Sequence, residues 1–243
     1  MVLDGGGVKG IGLVGAIEIL TNKGYTFSRV AGTSADAIVG PLVATGMPIK
    51  TVIATMQGLD YSKFRDKGKV DTFGIGGQGL SLFFEKGIYE GRYLRTWLIE
   101  QLEGLGVRTF ADLKLTESWA EKLPPEQRYR LVVASDVSRG RLVRLPWDYH
   151  LYGLDPDEQL VADAVRASMS IPFFYEPAKL KGRYLVGGGL LSNFPIALFD
   201  SVTEWPTIGI KLSSKEEVLR LLIRLTIRPQ SSTLCSVRTI VYI

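Results

Sequence analysis

The first 46 residues alternate twice between a short apolar run and a stretch with helical periodicity. Val2-Leu3 leads into glycines, and apolar residues then recur at helical spacing over 11–20, where Gly24 is placed to end the helix. Residues 27–31 predict a second strand, and residues 34–45 predict a second helix that stops near Gly46. Strand, helix, strand and helix at this spacing predict βαβ units, and therefore an α/β fold with a mostly parallel sheet.

The rest of the chain continues the same alternation. The further predicted elements are a helix over 89–105, a strand over 130–137 with a hairpin partner over 141–145, a helix over 161–169, and strands over 183–186 and 207–212, the last of these closing the core. We expect one domain over 1–243, with a helix and tail after residue 213. The glycine-rich stretch 67–88 ends in apolar residues, so it is either a lid that faces lipid or a loop packed on the core.

Composition excludes several classes of protein. The 243 residues are 46% hydrophobic and 22% charged, which is typical of a globular chain and not of a disordered one. Cys235 is the single cysteine and His150 the single histidine, so a disulfide scaffold and a His-rich metal site are excluded. We expect no metal and no organic cofactor.

The net charge and the distribution of apolar residues indicate the expected partners and the localisation of the protein. The net charge of +4 suits an anionic surface or substrate, but the basic residues are spread out, so nucleic acid is not an expected partner. The most apolar stretch, 11–20, contains Glu18 and is too short to span a bilayer, and no signal peptide is recognised. We expect a cytoplasmic protein whose membrane contact is at most peripheral.

The segment from Asp4 to Gly10 is a glycine-rich turn between a strand and a helix. Glycines at such a junction let the backbone approach a ligand, and the helix N-terminus directs N–H groups at negative charge. Gly5, Gly7 and Gly10 also match the dinucleotide fingerprint G-x-G-x-x-G, which expects an acidic residue at the end of the second strand. That strand closes with residues 30–32, which carry no acid, so a dinucleotide site is disfavoured.

A second junction, Gly32-Thr33-Ser34-Ala35-Asp36, places a serine between small residues on a strand-to-helix turn. This pattern is typical of a nucleophile elbow, which raises the serine oxygen out of the sheet and leaves an N–H at the helix start to hold an oxyanion. The alternative is a serine that only caps the helix. An elbow normally has glycine two positions after the serine, where this chain has Asp36.

A third junction is the glycine turn at 187–189, followed by Leu191-Ser192-Asn193-Phe194-Pro195. In their order and spacing, the three junctions resemble those of the patatin-like phospholipase family, which has a glycine-rich loop, a Gly-x-Ser-x-Gly elbow and a late Asp-Gly-Gly/Ala turn. The stretches 162–168 and 171–174 match as well, and the resemblance covers about residues 1–212. It implies a three-layer α/β sandwich of the patatin type, acting on phospholipid or other acyl esters.

The resemblance also implies roles for particular residues. Ser34 maps onto the nucleophile of a serine–aspartate dyad, in which the aspartate is the base and no histidine is needed. Lys9 maps onto a basic position beside the loop, where it would face an anionic head group, although a solvated lysine at the helix start is an equal alternative. The oxyanion loop maps onto Gly5, Gly6, Gly7, Val8 and Gly10. His150 is the one candidate for a histidine base, and no motif surrounds it.

The family's aspartate corresponds to Gly187, which has no side chain and cannot take a proton. Asp36 is the nearest substitute carboxylate along the chain, but two residues of helix rotate it by about 200° away from Ser34. Asp4 and Asp136 end strands and are further candidates. Pro41, inside the helix that follows Ser34, is another departure, because an interior proline removes a helical hydrogen bond.

Two functions remain open. One is a patatin-like lipid acyl hydrolase whose turnover is weak because the dyad aspartate is missing. The other is a pseudoenzyme of the same fold that binds lipid or a partner protein. Hydrolysis of a short-chain ester distinguishes them, and the sequence leaves the oligomeric state open.

Overall fold

A computed structural model describes residues 1–5, 10–34, 36–65, 89–137, 141–171, 174–187, 194–199, 206–211 and 238–242. The predicted lid at 67–88 and the predicted helix directly after residue 213 lie outside these ranges, as do the hairpin turn at 138–140 and the glycine turn after Gly187.

The described residues form one sheet with flanking helices. The strands are β1 (Val2–Leu3), β2 (Val30–Thr33), β3 (Leu131–Val137), β4 (Arg141–Leu145), β5 (Ala178–Leu180), β6 (Arg183–Gly187), β7 (Thr207–Lys211) and β8 (Arg238–Tyr242). The α-helices are α1 (Gly10–Asn22), α2 (Asp36–Ala44), α3 (Ile49–Gln57), α4 (Arg92–Glu103) and α5 (Val161–Ser168). Short 3₁₀ helices occupy Tyr61–Phe64, Phe110–Leu113, Ser118–Lys122, Pro125–Gln127, Tyr149–Tyr152, Pro156–Glu158 and Ile196–Phe199.

The sheet is parallel at its centre and antiparallel at one side. Its order is β5-β6-β3-β2-β1-β7-β8, and β4 pairs with β3 outside this path. The pairs from β3 through β2, β1 and β7 to β8 are all parallel, whereas β4, β5 and β6 enter by antiparallel pairing. This arrangement confirms the expected α/β class with a mostly parallel sheet.

The central strands are buried because helices cover them. Every residue of β1 and β2 is buried, as expected for parallel strands in an α/β fold. Helix α2 packs on β2 and β3, α5 packs on β3 and β6, and α1 packs on α3. The strands that lead into the first two junctions, β1 and β2, therefore belong to the core. No helix among the described residues is long and apolar enough to cross a membrane.

Helices α1 and α2 both end where a glycine was expected to stop them. Gly24 and Gly46 have positive φ angles of 85° and 80°. After α2, the N–H of Gly46 donates to the carbonyl of Val43 and the N–H of Met47 to that of Leu42. This pair of bonds is the Schellman arrangement, which satisfies carbonyls that the last helical turn would leave unbonded. These two helix ends could be predicted because glycine adopts a positive φ without strain.

Other boundaries differ from the sequence expectation. Strand β2 begins at Val30 and not at residue 27, because its ladder with β3 starts at the pair Val30 and Leu131.

Strand β7 is not the last strand of the sheet. Strand β8 extends the sheet beyond it with five parallel pairs, from Thr207 with Arg238 to Lys211 with Tyr242. Strand β5 and helix α3 were not expected, and the helix predicted over 89–105 is shorter, at Arg92–Glu103. Edge strands depend on a partner strand that sequence periodicity does not reveal.

Pro41 lies inside α2, as expected, and the helix continues past it to Ala44. Proline has no N–H, so the carbonyl four residues earlier, on Ala37, loses its usual helical donor. Almost all of α2 is buried, and tertiary packing therefore holds a helix that carries this defect.

We predict that Gly32→Ala lowers the free energy of unfolding by about 2–4 kcal/mol. A Cβ at Gly32 would lie 2.8 Å from the backbone oxygen of Asp36, and backbone cannot move away as a flexible side chain would. Gly15→Ala is the matched control, because its Cβ meets nothing within 4 Å and alanine favours helix by about 0.5–1 kcal/mol. Urea denaturation measures both, and equal midpoints for Gly32→Ala and the parent would contradict the prediction.

Candidate active site

Ser34 occupies the turn between β2 and α2 in an unusual backbone conformation. Its φ angle is 59°, in the left-handed region that non-glycine residues rarely adopt. That conformation costs about 1–2 kcal/mol for an L-residue. The side chain is partly exposed, although the residues of β2 before it and the start of α2 after it are buried. A strained, accessible serine between a buried strand and a buried helix has the geometry of a nucleophile elbow.

Close contact between β2 and α2 makes this turn sharp. The position of a Cβ on Gly32 is 2.8 Å from the carbonyl oxygen of Asp36 and 3.1 Å from the backbone nitrogen of Ala37. The N–H of Ala37 also donates to the carbonyl of Ser34 at 2.9 Å, which starts the helix immediately. Glycine at position 32 is therefore required by the path of the helix backbone.

The backbone of Ser34 is bonded to a residue that lies far along the chain. Its N–H donates to the Oγ of Ser168 at 2.9 Å, across 134 residues of sequence. Ser168 is the last residue of α5 and is fully buried. Ser168 lies in the stretch 162–168 that matches the family, but no role was predicted for it. A serine at the end of an apolar helix carries no local signal for such a contact.

Gly187 reaches the same place through the register of the sheet. Thr33 pairs with Ala134, and Gly187 pairs with Ser135, the next residue of β3. The N–H of Gly187 donates to the carbonyl of Ser170 at 2.7 Å. A Cβ atom added to Gly187 would lie 3.2 Å from the carbonyl oxygen of Ser168. The structure thus brings Ser34, Ser168 and Gly187 together around the end of α5.

Arg166 holds the chain that follows α5. Its guanidinium donates to the carbonyl of Glu90 at 2.6 Å, to the carbonyl of Glu176 at 2.6 Å and to the Oγ of Ser170 at 2.5 Å. The Ser170 hydroxyl in turn donates to the carbonyl of Arg166 at 3.1 Å. Because the carbonyl of Ser170 accepts from Gly187, this network holds the backbone on which Gly187 rests.

The candidate substitute carboxylates lie in different settings. Asp36 is fully buried in the first turn of α2, the position where the helix dipole favours an anion. Asp4 is buried directly after β1, and its N–H donates to the carbonyl of Ile210. Asp136 pairs with Val186 through its backbone, and its side chain lies outside the described part of the chain.

His150 is exposed and belongs to a short 3₁₀ helix. Its Nδ1 lies 2.7 Å from the carbonyl oxygen of Trp147, and because a carbonyl only accepts, Nδ1 must be the donor. This contact is local and explains the histidine without a catalytic role.

The glycine-rich junction is described only at its two ends. Gly5 follows β1, which pairs with β2, and Gly10 begins α1. Gly6, Gly7, Val8 and Lys9 lie outside the described residues, as does Ala35. Because β1 and β2 are parallel neighbours, the loop starts at the sheet edge where Ser34 lies.

Apolar side chains are exposed next to the end of α5. Ile171 is 41% exposed and Phe174 is 37% exposed, and the ring of Phe174 lies 4.8 Å from that of Tyr89. The backbone nitrogen of Ile171 is 3.6 Å from the position that a Cβ atom on Gly187 would occupy. An apolar surface therefore adjoins the candidate site. Within the described residues, no three side chains of the metal-binding types lie close enough to hold an ion.

Arg29 is a buried cation at the opposite end of β2 from Ser34. Burial lowers its pKa to about 10, and its guanidinium lies 4.4 Å above the ring of Phe199. It remains charged at neutral pH, but five extended residues place it roughly 16 Å along the strand from Ser34. Arg29 therefore has no direct part in the candidate site.

Comparisons with known proteins identify the family and the fold of this chain. A sequence profile described as patatin-like phospholipase matches residues 1–200. The uncharacterized protein YqhO of Bacillus subtilis is 41% identical over 219 residues, which are 88% of this chain and 71% of YqhO. Lysophospholipase nte1 of Emericella nidulans is 26% identical over 198 residues, which are 81% of this chain and 11% of nte1.

A solved structure shows the same fold. The crystal structure of VipD from Legionella pneumophila superimposes with a TM-score of 0.54 at 21% identity, covering 90% of this chain and 51% of VipD. The chain therefore spans about half of VipD and a small part of the fungal lysophospholipase. The expected patatin-like α/β fold is confirmed.

We predict that Arg166→Met lowers the free energy of unfolding by about 2–3 kcal/mol, because two backbone carbonyls lose a charged donor. Arg95→Met is the matched control. Arg95 pairs with Asp163 on the surface, where the two side chains are 41% and 47% exposed, so its loss should cost at most about 1 kcal/mol. Urea denaturation compares them, and equal losses would show that Arg166 is not a structural anchor.

Proposed function

Because the chain belongs to the patatin-like phospholipase family, we propose that it is a lipid acyl hydrolase in which Ser34 is the nucleophile. We further propose that its turnover is weak, because Gly187 stands at the position of the dyad aspartate. The observation that carries the proposal is the strained conformation of Ser34 on the β2–α2 turn. Gly187 lies at the same end of the sheet, because it pairs with β3 one residue beyond the pair of Thr33.

The proposed reaction is acyl transfer through Ser34. Its Oγ attacks the carbonyl carbon of the ester, the bond to the alcohol breaks, and the alcohol leaves with the proton that the hydroxyl gave up. Water then attacks the acyl-enzyme, releases the fatty acid and returns a proton to Oγ. The negative oxygen formed at each step needs donors, which we assign to the N–H groups of Gly6, Gly7 and Val8 in the loop that starts beside β2.

Weak turnover follows from the proton that Ser34 must lose. A serine hydroxyl is a poor nucleophile unless an adjacent base accepts its proton. In a serine triad, loss of the nucleophile or its base lowers kcat about a million-fold, which is about 8 kcal/mol. An oxyanion hole alone leaves an acceleration of about a thousand-fold over water. Detectable but slow hydrolysis is therefore the expected behaviour.

The surroundings favour an acyl-ester substrate with an apolar tail. Ile171 and Phe174 present exposed apolar side chains next to Gly187, where an acyl chain would find contact. Lys9 would face an anionic phospholipid head group. Contact with a membrane would then be peripheral and occur at this face.

A specific observation favours the second candidate, an inactive lipid-binding protein. The carbonyl oxygens of Ser168 and Ser170 lie 3.2 and 3.5 Å from the position of a Cβ at residue 187, so they crowd a side chain there. A contact of 3.2 Å is tighter than a Cβ normally makes, so an aspartate needs a shift of a few tenths of an ångström in this backbone.

We predict that Gly187→Asp raises kcat for p-nitrophenyl butyrate at least 100-fold over the parent, since it restores a base beside Ser34. Gly187→Asn is the matched control, because it has the same shape and the same contacts but accepts no proton. Ser34→Ala in the Gly187→Asp chain should abolish the gain.

Each outcome distinguishes the candidates. A gain with aspartate but not with asparagine, dependent on Ser34, supports a hydrolase that lacks its base. Equal, Ser34-independent rates in all four chains contradict the proposal and favour the binding protein.

We predict that Asp36→Asn changes the residual Ser34-dependent rate of the parent less than threefold. The carboxylate is fully buried in the first turn of α2, whereas Ser34 lies before the helix and is partly exposed, and asparagine preserves the shape of the side chain. Initial rates with p-nitrophenyl butyrate measure this, and thermal unfolding checks that the variant is folded. A fall of 100-fold or more would instead identify Asp36 as the substitute base.

A further inference from the structure

We propose that Ser168 is a positioning residue that holds the Ser34 turn in its reactive conformation. The kinetic consequence rests on the proposed function, whereas the positioning itself does not. Ser168 is fully buried at the end of α5, and its Oγ accepts a hydrogen bond from the N–H of Ser34 at 2.9 Å. No other residue in the described part of the chain is shown in contact with that N–H.

The bond satisfies a donor that the fold would otherwise leave without a partner. The first N–H groups of a helix have no carbonyl of their own helix to bond, and Ser34 lies in the turn that leads into α2. Its N–H is partly buried, and Ser168 supplies an acceptor from another helix. The backbone nitrogen and the Cβ of Ser34 are bonded to the same Cα. A hydrogen bond that fixes the nitrogen therefore limits the positions that Oγ can reach.

Ser168 also contacts the second part of the candidate site. Its carbonyl oxygen lies 3.2 Å from the position that a Cβ atom on Gly187 would occupy. The next turn of chain is held by Arg166 and Ser170, and the carbonyl of Ser170 accepts from the N–H of Gly187. The end of α5 therefore sets the spacing between the nucleophile position and the base position, with the Ser168 hydroxyl as the contact to the nucleophile.

This arrangement predicts a kinetic role distinct from folding stability. Misplacing a catalytic group by about 1 Å costs about 100-fold in rate. Loss of the Ser168 hydroxyl should therefore lower kcat and leave substrate binding nearly unchanged. A purely structural role would lower stability throughout the sheet and would not separate kcat from KM.

Amide hydrogen exchange tests the positioning in the unaltered chain. NMR of protein labelled with ¹⁵N-serine and ¹⁵N-valine follows the Ser34 amide and that of Val30, which bonds to the carbonyl of Arg130 at the other end of β2. The Ser34 amide should exchange at least 100-fold more slowly than in an unstructured peptide. Exchange at the unstructured rate would overturn the proposal, whatever the enzymatic activity.

Ser168→Ala should then accelerate exchange of the Ser34 amide at least 10-fold and leave that of Val30 unchanged. Thr45→Ala is the matched control: the Thr45 hydroxyl bonds to the carbonyl of Leu42 at the far end of α2, and its loss should change neither amide. If the alanine variant does not fold, Ser168→Cys, a near-isosteric but poorer acceptor, is measured in its place. An unchanged Ser34 rate would contradict the proposal.

Kinetics test the consequence in the Gly187→Asp chain. Ser168→Ala should lower kcat for p-nitrophenyl butyrate by about 10–100-fold with KM within threefold, and Ser168→Thr should restore part of kcat. A rise in KM with unchanged kcat would overturn a positioning role. If no chain shows Ser34-dependent hydrolysis, the proposed function fails, and the exchange measurements still decide whether Ser168 holds the turn.

Discussion

The close approach of helix α2 to strand β2 is the contact on which the candidate site depends. Only a glycine at position 32 lets the backbone of Asp36 come so near, and Ser34, in the turn between them, has a positive φ. The strain of about 1–2 kcal/mol is offset by burial of the strand and the helix on both sides. The turn therefore stores strain at the place where a partly exposed serine lies.

A second constraint comes from the end of α5, which contacts both halves of the site. Through Ser168 it bonds to the backbone of Ser34, and through the carbonyls of Ser168 and Ser170 it closes around Gly187. Arg166 holds this segment with charged donors to backbone carbonyls. Ser34 and Gly187 are thus linked by short contacts, although one follows β2, the other ends β6 and the two are far apart along the chain.

The departures from the family pattern are accommodated by the same packing. Asp36 replaces the usual glycine of the elbow but lies buried in the first turn of α2, where the helix dipole favours its charge. Pro41 interrupts the hydrogen bonds of α2, yet the helix continues because almost all of it is buried. Gly187 ends β6, and the carbonyl oxygens of Ser168 and Ser170 lie 3.2 and 3.5 Å from the position of a Cβ there.

Features that depend on neighbouring residues could be predicted from the sequence. The alternation of strands and helices, the glycines that end α1 and α2, and the small residues around Ser34 follow from local backbone preferences, so the fold class and the turn could be predicted. Contacts between distant residues became known from the folded structure: β8 extends the sheet, Gly187 pairs with β3 one residue beyond the pair of Thr33, and Ser168 accepts the N–H of Ser34. Such contacts depend on strand register and helix docking, and these are set by packing of the whole chain.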